Sequence, residues 1–106
     1  MTVAQSQVVV DGVNINELDI EFCEIVAESN FWGTKAKIKI DYGQPGGSFG
    51  FDKVTDKDGK PLKVNTTVGA LNYMFKNGWD FVTSYTIGDA SKGYVYHFLL
   101  RKISPQ

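Results

Sequence analysis

Two long alternating segments near the C-terminus constrain the fold of this chain more than any other feature. Residues 79–87 and 93–102 are rich in aromatic and β-branched side chains, and only the short polar segment 88–92 separates them. Alternation with a period of two is typical of strands, and so short a connection predicts an antiparallel hairpin. The chain is therefore expected to build its core on a sheet.

Pairing Asp80 with Arg101 gives this hairpin two different faces. The first face is aromatic and is predicted to be core; it comprises Trp79, Phe81, Thr83, Tyr85 and Ile87 opposite Tyr94, Tyr96, Phe98 and Leu100. The second face is half apolar, and a single short helix covers only one side of a sheet. We predict that this second face is an interface, formed by Val82, Ser84, Val95, His97 and Leu99.

One α-helix is predicted directly before the hairpin. Asn65 or Thr66 can cap its N-terminus, and an apolar stripe at helical spacing follows, made of Val68, Leu71, Met74 and Phe75. This stripe is predicted to pack on the aromatic face of the hairpin. The helix is expected to end at Asn77, because Gly78 can take the left-handed conformation after a helix and Trp79 can pack back on it.

The N-terminal half contains two further candidate strands. Residues 34–42 alternate without a break, and residues 18–27 alternate with a change of phase near Phe22 that suggests a β-bulge. We expect these strands to pair, with the acids of one facing the lysines of the other. A helix over residues 15–26, capped by Asn14, is the alternative. Between residues 54 and 64, the pair Asp58-Gly59 predicts the turn of a short hairpin.

Together these elements predict one α+β domain over residues 1–106, with an antiparallel sheet of about four to five strands and one helix packed on one face. Residues 1–16 are expected to form a loosely attached N-terminal segment.

Composition excludes several classes of function. Eleven Lys and Arg residues against twelve Asp and Glu residues leave a net charge of -1, so general affinity for nucleic acid is not expected. The one cysteine, Cys23, cannot form an internal disulfide, and no apolar run is long enough to cross a membrane. No signal peptide is recognisable, so a cytoplasmic protein is expected.

The sequence motifs resemble those of a family of small uncharacterised α+β proteins of gut Bacteroidetes. The matching blocks are Phe22-Cys23-Glu24-Ile25-Val26, Ile38-Lys39-Ile40-Asp41-Tyr42-Gly43-Gln44, Asp58-Gly59-Lys60-Pro61, Ala70-Leu71-Asn72-Tyr73-Met74, Gly78-Trp79-Asp80-Phe81-Val82 and Val95-Tyr96-His97-Phe98-Leu99-Leu100. The resemblance covers about residues 18 to 102. It implies an α+β fold, no established activity and no catalytic residues to transfer.

Candidate catalytic chemistry is sparse. His97 is the one side chain that ordinarily titrates near neutral pH. A dyad of Cys23 with His97 would require the two strands to be neighbours, and one His with one Cys cannot complete a tetrahedral metal site. We therefore assign no catalytic residue, no metal site and no cofactor.

The sequence favours a non-catalytic interaction module that forms a homodimer. The alternative is a small enzyme or small-molecule-binding protein with a site near His97. A third hypothesis is a binder of single-stranded nucleic acid, because residues 92–99 partly match the pattern in which a basic residue, a glycine and stacking aromatics recognise RNA.

Overall fold

The computed structural model of the chain describes residues 6–28, 38–45, 54–56, 58–62, 64, 66–91 and 93–103. The elements in chain order are β1 (Val9–Val10), β2 (Val13–Asn14), a 3-10 turn (Ile15–Glu17), β3 (Phe22–Glu28), β4 (Ile38–Asp41), β5 (Val54–Thr55), α1 (Thr67–Lys76), β6 (Trp79–Asp89) and β7 (Gly93–Lys102).

The strands form two antiparallel sheets. The larger sheet has the order β4-β3-β7-β6, and the smaller one has the order β2-β1-β5. Together with α1 they confirm the predicted α+β class.

The core lies between the larger sheet on one side and the smaller sheet with α1 on the other. We call the sheet face that contributes to this core the inner face; its central residues are Cys23, Ile25, Ile40, Phe98 and Leu100. The other buried members of the core are Val8, Val10, Ile15, Val54, Ala70, Met74 and Trp79. Val8, Val10 and Ile15 belong to the segment that was expected to be loosely attached, and each has no exposed surface.

The side chain of Asn16 connects this N-terminal segment to the rest of the core. Its Oδ1 accepts hydrogen bonds from the backbone N–H of Val8 at 3.1 Å and from Nε1 of Trp79 at 3.0 Å. Its Nδ2 donates to the carbonyl oxygen of Asn77, at the end of α1, at 2.7 Å. Three separate parts of the chain therefore meet at one amide.

The predicted helix is present, but part of its predicted apolar stripe is exposed. Thr66 caps it by accepting a hydrogen bond from the N–H of Gly69 at 2.9 Å, and Gly78 follows its end with φ of 91°. The prediction that Val68 and Phe75 face the core is wrong, since they are 64% and 58% exposed. Met74 and Leu71 of the predicted stripe do contribute, since Met74 is buried and Leu71 packs against the core, and Ala70 is buried beside them.

The hairpin register agrees with the prediction only near its base. Asp80 pairs with Arg101 and Phe81 with Leu100, but a β-bulge at Val82 then shifts the pairing so that Thr83 faces Leu99. An extra residue in one strand exchanges the two faces for every residue beyond it. Thr83, Tyr85 and Ile87 therefore leave the predicted aromatic core face, and Ser84 and Thr86 take their place.

The predicted pairing of the two N-terminal strands is present, but the charges are arranged differently. β3 pairs with β4 so that Glu24 lies opposite Asp41 and Val26 lies opposite Lys39. The expectation that acids face lysines is therefore wrong for the described residues, and residues 34–37 of the predicted strand pair lie outside them. The alternative prediction of a helix over residues 15–26 is wrong, because residues 22–26 belong to β3. Only Ile15–Glu17 form a single 3-10 turn, which Asn14 caps by accepting a hydrogen bond from the N–H of Asn16.

The short predicted hairpin around Asp58-Gly59 is also present. Oδ1 of Asp56 accepts hydrogen bonds from the N–H groups of Asp58 and Lys60, and the N–H of Leu62 donates to the carbonyl oxygen of Val54.

Candidate interaction face

The outer face is our name for the side of the four-stranded sheet that points away from the core. Strand register places on it Phe22, Glu24, Val26, Lys39, Asp41, Asp80, Thr83, Tyr85, Ile87, Val95, His97, Leu99 and Arg101. Phe22, Tyr85 and Ile87 are 45%, 44% and 57% exposed. None of these residues belongs to the core cluster, so the outer face is open within the part of the chain that the structure describes.

Three of the five residues predicted to form an interface lie together on this face. Val95, His97 and Leu99 alternate along β7 and are each partly buried. Ser84 pairs with Phe98 and therefore lies on the inner-face side, and Val82 occupies the bulge. The bulge also brings in Tyr85, which the sequence prediction had assigned to the core.

A polar cluster of three side chains occupies the middle of the outer face. Glu24 on β3 contacts both His97 on the neighbouring strand β7 and Tyr85 on β6, the strand beyond it. The Tyr85 hydroxyl is 2.9 Å from Oε1 and 2.7 Å from Oε2 of Glu24, and Nδ1 of His97 is 2.9 Å from Oε1. The rings of Tyr85 and His97 stack with centroids 4.5 Å apart and an angle of 4° between their planes.

The chemistry of this cluster follows from its geometry. The hydrogen bond to Glu24 raises the pKa of the Tyr85 hydroxyl, so that this group remains a donor at neutral pH. A carboxylate can only accept, so His97 must carry a proton on Nδ1 to make its bond. Nε2 of His97 is then the atom at which the ring gains a second proton. The side chains of His97 and Glu24 are 18% and 21% exposed, and both are therefore largely withdrawn from water.

At one end of the outer face, Arg101 makes exposed contacts with Phe22 and Glu21. The guanidinium of Arg101 lies 5.8 Å from the centre of the Phe22 ring, and one of its nitrogens is 3.6 Å from Oε1 of Glu21. Both partners of this ion pair are more than half exposed, so it contributes little to stability.

A dyad of Cys23 with His97 does not form, although β3 and β7 are neighbours. Cys23 pairs with Leu100 and faces the core, whereas His97 pairs with Val26 and faces outward. Burial raises the pKa of the Cys23 thiol to about 12, so the thiol is also a poor nucleophile. The dyad is prevented by the alternation of side chains along a strand, which places Cys23 and His97 on opposite sides of the sheet.

No group of three or more His, Cys, Asp or Glu side chains suited to a metal ion occurs among the described residues. Shallow depressions in the described part of the chain include one of about 230 Å³ bordered by residues such as Asp80 and Arg101 and one of about 440 Å³ beside Asp56 and Lys60. Neither of them includes His97 or Glu24. No helix in the described ranges is long and apolar enough to cross a membrane.

The two tyrosines of the RNA-like pattern lie apart from the polar cluster. Tyr94 and Tyr96 alternate with His97 and lie on the same side as Phe98, 40% and 36% exposed.

In comparisons with known proteins, no family model, no curated protein and no solved structure matches the chain. The resemblance to the Bacteroidetes family therefore stays a prediction.

Proposed function

We propose that the protein is a non-catalytic interaction module and that its partner is a second copy of the same chain, bound through the outer face. The observation that carries this proposal is the open outer face itself, where exposed Phe22, Tyr85 and Ile87 and the partly buried Val95 and Leu99 border the polar cluster of Glu24, His97 and Tyr85. Aromatic and aliphatic side chains beside a few hydrogen-bonded polar groups are the usual composition of a protein interface.

The distribution of charge favours a second copy over a strongly charged partner. The β4 margin of the outer face carries Lys39 and Asp41, and toward the opposite margin Asp80 on β6 lies opposite Arg101 on β7. Each margin therefore has both signs, so a copy related by a two-fold axis can place opposite charges against each other. Closed two-fold dimers are the commonest assemblies of small domains.

The outer face is small for a protein interface. At about 3.3 Å per residue and about 4.8 Å between strands, β3, β4, β6 and β7 cover a flat area of roughly 500 Å². Stable complexes bury about 800 Å² on each partner, so a weak dimer is expected.

Sedimentation velocity from about 1 to about 500 micromolar tests the proposal, with dimer expected toward the upper end of that range. Leu99→Lys places a charge near the centre of the outer face and should give a folded monomer. Ile87→Lys makes the same kind of change at a more exposed position, where folding is not at risk, and should weaken the dimer. Val68→Lys is the matched control, because Val68 is equally aliphatic and 64% exposed but lies on the helix.

An unmutated chain that remains monomeric at the highest concentration would refute the proposal. An equal effect of Ile87→Lys and Val68→Lys would place the contact somewhere other than the outer face.

A second candidate function is favoured by the fixed orientation of His97. An acid that binds Nδ1 of a histidine and leaves Nε2 available is an arrangement used for proton transfer. A small molecule retained through purification and detected by native mass spectrometry would support a site near His97. Salt-sensitive binding of labelled single-stranded RNA would instead support the nucleic-acid hypothesis.

A further inference from the structure

We propose that self-association through the outer face takes up protons, and that the cluster of Glu24, His97 and Tyr85 is the site of this uptake. The inference rests on the proposed dimer and assigns a regulation to the same surface. Acidification is then a signal that assembles the protein.

Burial in an interface would change the protonation state that this cluster favours. Glu24 and His97 retain only about a fifth of their side-chain exposure, and a second copy lying on the outer face would remove most of what is left. Contact with water is the main stabiliser of an uncompensated charge, so its loss penalises whichever protonation state carries a net charge.

With His97 neutral, the cluster carries one negative charge, because Glu24 is ionised while Tyr85 and His97 are not. A two-fold dimer would bury two such clusters in one interface. Adding a proton at Nε2 of His97 turns each cluster into a neutral ion pair that keeps its 2.9 Å contact. The dimer therefore favours the protonated form more strongly than the monomer does.

The charges near the cluster also favour the addition of a proton to it. Among the described side chains, the charged groups that face the cluster or share its sheet face are Lys39 and Asp41 on β4, Asp80 on β6 and Arg101 on β7, with Glu21 beside Arg101. Acids outnumber bases in this set, so the outer face gains from an added positive charge. Histidine is the side chain whose charge ordinarily changes near neutral pH, and His97 is the one histidine of the chain. The pKa of Tyr85 is raised, which keeps its hydroxyl protonated across the same range.

The sign and size of the effect follow from linkage. If the dimer binds more protons than two monomers, its dissociation constant falls as the pH falls. Two sites per dimer allow a steep dependence, and we expect the dissociation constant to decrease by at least about tenfold between pH 8 and pH 6.

The test is sedimentation equilibrium of the full chain at several values between about pH 8 and about pH 6. The unmutated protein should dimerise more strongly on acidification. His97→Gln keeps a donor for Glu24 but cannot be charged, so it should dimerise with little pH dependence. Glu24→Gln removes the negative charge, so that protonation of His97 would now bury an uncompensated positive charge and the pH dependence should change sign.

Calorimetric dilution of the unmutated dimer in buffers of different ionisation enthalpy counts the released protons without any mutation, and circular dichroism verifies that each variant is folded. A dimer whose stability does not change with pH, or a His97→Gln variant that keeps the full pH dependence, would overturn the proton linkage while leaving self-association intact. A chain that is monomeric at every pH would overturn both proposals.

Discussion

Asn16→Ala should be among the most destabilising single substitutions in this protein. The alanine lacks the amide that accepts from Val8 and Trp79 and donates to Asn77. Val8 and Trp79 have 0% and 1% of their surface exposed, so their N–H groups would lose a partner in a place that water enters with difficulty.

The magnitude can be estimated from these three bonds. A hydrogen bond contributes about 1 kcal/mol net, and a buried donor left without a partner costs about 1 to 3 kcal/mol. Three bonds, two of them with buried donors, give an expected loss of about 3 to 5 kcal/mol. That is a large part of the roughly 5 to 15 kcal/mol by which domains of this kind are stable.

Urea unfolding followed by far-ultraviolet circular dichroism measures this loss. Asn14→Ala is the matched control, since it removes one hydrogen bond, to the N–H of Asn16, and should cost about 1 kcal/mol. Asn16→Asp replaces the donor that lies 2.7 Å from the carbonyl oxygen of Asn77 with a second oxygen. At neutral pH it should be no more stable than the alanine variant, and acid should restore part of the loss by protonating the new carboxyl group.

A loss below about 1 kcal/mol for Asn16→Ala, or a loss equal to that of Asn14→Ala, would show that these bonds do not join the N-terminal segment to the core.

The remaining predictions concern the core, the cysteine and the sheet edge. Trp79→Ala should lower the free energy of unfolding by about 3 to 5 kcal/mol in the same urea assay, whereas Phe81→Ala, at a position 48% exposed, should cost clearly less. Cys23 should resist thiol reagents until the protein unfolds. Because folding raises the pKa of its thiol from 9.0 to about 12, its contribution to stability is complete below pH 9 and is lost as the pH rises toward 12. The Cys23→Ala variant should not show this loss. Ser84→Lys should leave unfolding by urea nearly unchanged but reduce light scattering on heating, because β6 is an edge strand without Lys, Arg or Pro between Phe81 and Gly88.

Local sequence chemistry determined most of the secondary structure. The cap at Thr66, the glycine at Gly78 and the turn at Gly59 each depend on a few adjacent residues, and all three appear where the pattern predicted them. The pairing of β6 with β7 and of β3 with β4 was also predictable, because short connections and matched alternation leave few other partners.

Only the tertiary structure decided which side of each element is buried. A single extra residue at Val82 exchanged the faces of β6, and nothing in the composition of residues 79–87 marks that position. The exposure of Val68 and Phe75 depends on how α1 lies against its neighbours, which helical spacing alone does not specify.

The candidate site was predictable only in part, for the same reason. Val95, His97 and Leu99 share a face by simple alternation along one strand, so the sequence identified them. Glu24 and Tyr85 come from strands on either side of β7, and their contact with His97 requires both the strand order and the bulge. Alternation along one strand is a local property that can be read from the chain, whereas the meeting of three strands depends on long-range packing.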